Sequence, residues 1–132
     1  MTFEIAKKLK EKGFREPCFG WYYPCEVCGY DYRTLIVFNQ SEYRGDKYKD
    51  LLISHNDDKH IDAPTISQVL KWLRDEKKIH IGFGHSPRKK WRYVIMYIDD
   101  RFYNKPTLAV DGFLKIEQAA LAGIKYALDN LI

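Results

Sequence analysis

Apolar residues recur along this chain at two spacings, one helical and one extended. From Thr2 to Lys12, Phe3, Ile5, Ala6 and Leu9 form a stripe while the lysines fall on the other side, which predicts a helix. Thr2 is its expected N-cap, Gly13 its stop, and Phe14 the residue that folds back onto it. Pro17 opens a different region. Cys18 to Tyr23 and Thr34 to Phe38 read as strands, separated by a turn region over Pro24 to Arg33. Asn39 to Asp50 is polar and reads as a loop, Leu51 to His55 as a short strand, and Asn56 to Lys59 as turn chemistry.

The helical spacing returns at Ile66. Ile66, Val69, Leu70 and Leu73 fall at i, i+3, i+4 and i+7, with Trp72 beside them. Thr65 followed by Gln68 predicts a capping box, and the helix is expected to end near Lys77. A period of two then takes over from Ile79 to Phe83 and again from Trp91 to Ile98. In the second run Trp91, Tyr93, Ile95 and Tyr97 share one face. Gly84 to Lys90 joins the two runs as a turn, and Thr107 to Val110 can add a short strand. The last helix is expected over Ile116 to Asn130, striped by Ile116, Ala120, Ile124, Ala127 and Leu131, with small residues at Ala119, Ala122 and Gly123. A glycine inside a helix costs about 1 kcal/mol relative to alanine, which close packing would offset.

The pattern predicts an α+β fold in a single domain over 1–132. It is an antiparallel sheet of four or five strands with three helices, in the order helix–strands–helix–hairpin–helix, the helices mainly on one face. Leu70, Leu73, Ile124 and Leu128 from the helices, with Ile81, Ile95 and Tyr97 from the sheet, are the expected core. Aromatic residues make up 15% of the chain, which supports sheet faces over long disorder.

Three segments together carry a resemblance. They are Gly13-Phe14-Arg15-Glu16-Pro17-Cys18-Phe19-Gly20-Trp21-Tyr22, the helix opening Ala63-Pro64-Thr65-Ile66-Ser67-Gln68-Val69, and Ile116-Glu117-Gln118-Ala119-Ala120-Leu121-Ala122-Gly123-Ile124. Their order resembles a family of small proteins encoded in phages and mobile elements of anaerobic gut bacteria. The resemblance implies a fold and a genetic context and brings no catalytic residue with it. Two departures stand out. Lys115 occupies the place of a Ser or Thr cap, and Cys25-x-x-Cys28 is an addition to the pattern.

Charge and cysteine content narrow the chemistry. There is no apolar stretch of signal-peptide or membrane-span length, and three cysteines do not close a disulfide framework, so a cytoplasmic protein without a membrane partner is expected. The net charge is only +4, but Arg88-Lys89-Lys90-Trp91-Arg92 gathers four cations with no acid, whereas 17–64 is acidic. Such a basic-aromatic segment could neutralise phosphates and stack a base; the plainer alternative is a solvated hairpin end with Trp91 starting a core strand. Cys25 and Cys28 have the spacing of a zinc knuckle, with Cys18 the remaining thiol. No second knuckle accompanies it, so a surface turn with free thiols competes. His55, Asp57, Asp58, His60 and Asp62 form a polar cluster that reads more simply as a loop. Gly82-Phe83-Gly84 lacks the glycines and following helix of a phosphate loop, and no nucleophile sits in a strand-to-helix elbow.

No catalytic residue is therefore expected, and no cofactor beyond the zinc alternative. The leading reading is a non-catalytic accessory protein acting on a protein partner through an aromatic patch at Trp21, Tyr22 and Tyr23. Nucleic-acid binding through residues 88–92 is the alternative, and a zinc-stapled module at Cys18, Cys25 and Cys28 the second alternative.

Overall fold

The first helix, α1 (Phe3–Glu11), begins where Thr2 Oγ1 accepts from the backbone N–H of Ile5 at 3.4 Å. It ends in a Schellman motif. Phe14 N–H donates to Leu9 O at 2.9 Å, and Gly13 N–H donates to Lys10 O at 3.2 Å. The motif needs a left-handed residue, which Gly13 supplies at φ +90°. Phe14 and Leu9, the positions whose apolar side chains accompany such a motif, are both buried.

This computed structural model describes residues 1–18, 20–25, 30–37, 61–98 and 108–132, with backbone alone for 23–25 and 30–37. The expected strand at 51–55, the loop at 39–50 and the turn at 56–59 lie outside the described residues. The chain divides into two compact units, Met1–Thr65 and Ile66–Ile132.

In the first unit, α1 is followed by β1 (Gly20–Cys25), β2 (Tyr30–Val37) and β3 (Ile61–Asp62). They form an antiparallel sheet in the order β2-β1-β3. β2 begins earlier than the sequence suggests, and the turn region expected over 24–33 shrinks accordingly. Pro24 is tolerated inside β1 because the register shifts between Tyr23 and Cys25, so the missing N–H falls at an irregularity. Ala6, Tyr22 and Ile61 make a buried cluster, with Met1, Phe3 and Ala63 packed against it.

In the second unit, α2 (Ile66–Lys77) starts directly after Thr65 and buries Val69, Trp72 and Leu73. The buried stripe is thus turned slightly from the expected one. Trp72 is in the interior, with Lys77 Nζ 5.0 Å from its ring centroid, while Leu70 is only half-buried. Lys78 follows at φ +58° and delivers the chain into β4 (Ile79–His85) with no loop. β5 (Trp91–Tyr97) and β6 (Leu108–Phe113) complete a second antiparallel sheet in the order β4-β5-β6.

The final helix, α3 (Ile116–Asn130), lies against this sheet. Gly123 explains how close it comes. A Cβ there would stand 3.0 Å from Ile81 Cγ2 and 3.2 Å from the Tyr93 ring. Ala119, Ala120, Ile124, Ala127 and Leu128 are buried along the same stripe, whereas Ile116 is exposed. Ile79, Ile81, Tyr93 and Ile95 are buried on the helix-bearing face of the sheet. Tyr97 is half-buried.

The α+β class, the three helices and their order hold. The single sheet of four or five strands does not: among the described residues, six strands form two sheets of three. Alternating side chains reveal that a strand has two faces but not which strand lies beside it, and the separation arises at exactly that missing step of pairing.

Candidate basic hairpin

β4 and β5 are paired from Ile79↔Tyr97 to His85↔Trp91, so the hairpin closes just beyond His85. Ser86 N–H donates to Lys90 O at 2.8 Å, which extends the ladder by one step. Lys89 N–H donates back to Ser86 O at 3.0 Å, closing a four-residue turn with Pro87 in its second position. Pro87 has the fixed φ that this position favours. Lys89 then adopts φ +58°, the left-handed residue that lets a three-residue loop rejoin a twisted pair of strands. Hence Pro87, Arg88 and Lys89 form a short, hydrogen-bonded tip rather than a floppy loop.

Arg88, Lys89 and Lys90 are all exposed at that tip. Among the described residues, no carboxylate lies within ion-pairing distance of them. Arg92 is different. It lies on the opposite face from Tyr93 and is paired in register with Asp111 of β6, so an opposite charge stands on the neighbouring strand. The five residues 88–92 therefore split into a three-cation tip, an aromatic at the sheet margin and an arginine on the sheet face opposite Tyr93.

Trp91 is half-buried, with its ring centroid 4.1 Å from that of His85 and the planes inclined at 37°. His85 thus covers part of the surface a base would need. The next residue inward on the same face, Tyr93, is buried and lies 5.8 Å from the Phe113 ring. Burial raises the Tyr93 hydroxyl above its ordinary pKa, with a further contribution from Tyr126.

The register Trp91↔Phe113 brings the end of β6, and with it Lys115, to the tip end of the sheet. Lys115 is exposed at the N-cap of α3. Its side chain has no acceptor to offer the helix, so only the reciprocal half of a capping box forms, from Lys115 N–H to Gln118 Oε1 at 3.3 Å. Neither His85 nor Lys115 was marked by the sequence as part of this region. A period of two from Trp91 identifies the strand, but only the register shows which residues stand beside it.

The expected aromatic patch is divided by burial. Tyr22 is only 6% exposed, its hydroxyl donates to Met1 O at 2.7 Å, and Phe3 meets it edge-on at 5.5 Å. It is an interior residue and leaves the patch. Trp21 is half-buried, and the Tyr23 side chain lies outside the described residues.

Cys18 is buried, and its thiol donates to Glu16 O at 3.2 Å. Burial, then the Asp62 and Glu16 carboxylates, push its pKa up to about 12. This environment favours the protonated thiol. Cys28 and the Cys25 side chain lie outside the described residues, as do His55, Asp57, Asp58 and His60. No cluster of three or more His, Cys, Asp or Glu suited to a metal forms among the described residues.

None of the helices among the described residues is long and apolar enough to cross a membrane. Compared with known protein families, curated proteins and solved structures, the chain matches none.

Proposed function

We propose that this protein binds nucleic acid through the tip of the β4–β5 hairpin. The observation that carries the reading is the run of three exposed cations, Arg88, Lys89 and Lys90, on a hydrogen-bonded turn with no carboxylate partner among the described residues. Adjacent like charges repel one another, and a polyanion relieves that repulsion while releasing its own condensed counterions. A turn already fixed by Pro87 and two backbone hydrogen bonds loses little conformational freedom on binding. The phage or mobile-element context that the sequence resemblance implies would be one in which nucleic acid is at hand.

Salt titration of binding to labelled oligonucleotides tests it. Three phosphate contacts correspond to a slope of about −2.7 in log K against log[salt] on a duplex. The triple variant Arg88→Gln, Lys89→Gln, Lys90→Gln should flatten that slope and abolish retention at low salt. If the wild-type chain shows no binding at low salt, the reading is wrong.

A protein partner is the second reading. It draws support from Met96 and Ile98, which are 39% and 53% exposed, the first of them on the sheet face opposite the buried Tyr93 and Ile95.

A further inference from the structure

Taking the nucleic-acid reading as its basis, we infer that the hairpin tip selects double-stranded nucleic acid, held by its phosphates, over single strands. Single-strand binders couple a basic groove to aromatic rings on which successive bases stack, and the stacking supplies much of their affinity. Here the basic residues are present, but among the described residues the aromatic surface beside them is partly covered. Two aromatics stand at the tip end of the sheet: Trp91, whose ring meets that of His85 at 4.1 Å, and Phe113, half-buried against Tyr93 at 5.8 Å. Tyr93, next inward on that face, is buried. Arg92 is paired with Asp111 and lies on the sheet face opposite Trp91 and Tyr93.

What remains exposed at the tip is charge on a rigid support. Such a surface reads phosphate density, and a duplex offers one phosphate per about 1.7 Å of axis against roughly twice that spacing along a single strand. The tip also carries its cations on consecutive residues of a short loop, so they fall within one small region of backbone. Lys115, brought to the same end of the sheet by the Trp91↔Phe113 register, adds a fourth cation. B-form DNA and A-form RNA share this phosphate chemistry and differ in groove shape, so both are tested.

Binding of the full chain to a DNA duplex, an RNA duplex and the unpaired DNA strand of the same sequence should be compared at one low salt concentration. At least one duplex should bind roughly tenfold more tightly than the single strand. His85→Ala should uncover Trp91 and raise single-strand affinity several-fold, leaving duplex affinity within about twofold, because phosphate contacts are untouched. His85 is exposed, so its loss should not unfold the chain.

Single strands binding as tightly as both duplexes in the wild type would overturn the inference while sparing the nucleic-acid reading. So would an indifferent His85→Ala variant. Absence of binding to all three probes would overturn both.

Discussion

Ser86 and Lys89 share one turn and each pays a different penalty there. The Ser86 hydroxyl is buried with no hydrogen-bond partner among the described residues. An unsatisfied buried hydroxyl costs about 1–3 kcal/mol, so Ser86→Ala should raise stability by about 1 kcal/mol in urea denaturation. Lys89 holds a left-handed backbone that costs a non-glycine residue roughly 1–2 kcal/mol. Lys89→Gly should therefore stabilise the fold by about 1 kcal/mol while weakening nucleic-acid binding, and a loss of stability would contradict the turn geometry. Keeping a lysine in that strained position is what a demand for charge at the tip would produce. Cys18 gives a pH signature. Its folded pKa lies near 12 against 9.0 for an ordinary thiol, so its contribution to stability is complete below pH 9 and fades as pH climbs toward 12. Tyr22, Tyr93 and Tyr97 are raised by burial as well and act in the same direction above pH 10. Between pH 9 and 10, therefore, the decline in urea midpoint should be shallower in Cys18→Ala than in the wild type. With Cys25 and Cys28 changed to serine, Cys18 should resist a thiol reagent until denaturant is added.

The helices were the most legible elements. Thr2, Gly13 and Phe14 announce both ends of α1, because a cap needs an acceptor and a Schellman turn needs a glycine followed by an apolar residue. α2 and α3 also fall where the i, i+3, i+4 spacing places them. The rotation of their buried stripes was less legible. Ile116 and Leu70 share the periodicity yet lie toward solvent, since a stripe's centre is fixed by what it packs on. Gly123 shows this from the other side. The sequence marks it as a cost in helix propensity, and the sheet supplies the reason. Gly123→Ala gains about 1 kcal/mol of propensity but forces a methyl toward Ile81 and Tyr93, where overpacking costs about 1–3 kcal/mol. The net expectation is a loss of about 1 kcal/mol in thermal or urea denaturation, with Gly123→Val worse than alanine.

On the scale of the whole molecule, strand pairing separated what the pattern had joined. β1 and β5 are each the middle strand of a three-stranded sheet, and both have the two-faced apolar character expected of a central strand. That character made them readable as strands and equally made them readable as neighbours. The basic run was legible as charge, but its division into tip, covered tryptophan and Asp111-opposed arginine depends on register, which composition does not encode. Because Ile66–Ile132 forms a compact unit, a fragment of those residues should unfold cooperatively by itself, with helical circular dichroism. A broad, non-cooperative melt would show that it needs the rest of the chain. Lys78 sets one further limit. It is the sole residue between α2 and β4, and its carbonyl accepts from Ile98 N–H at 2.9 Å. One amino acid inserted there would leave the β4–β5 register unchanged, because the Ser86–Lys90 turn fixes it from the other end, and the extra residue would instead have to break the Lys78–Ile98 hydrogen bond or turn α2 against the sheet. Length at this joint is therefore a constraint on how α2 meets the sheet, while the hairpin beyond it keeps its own register.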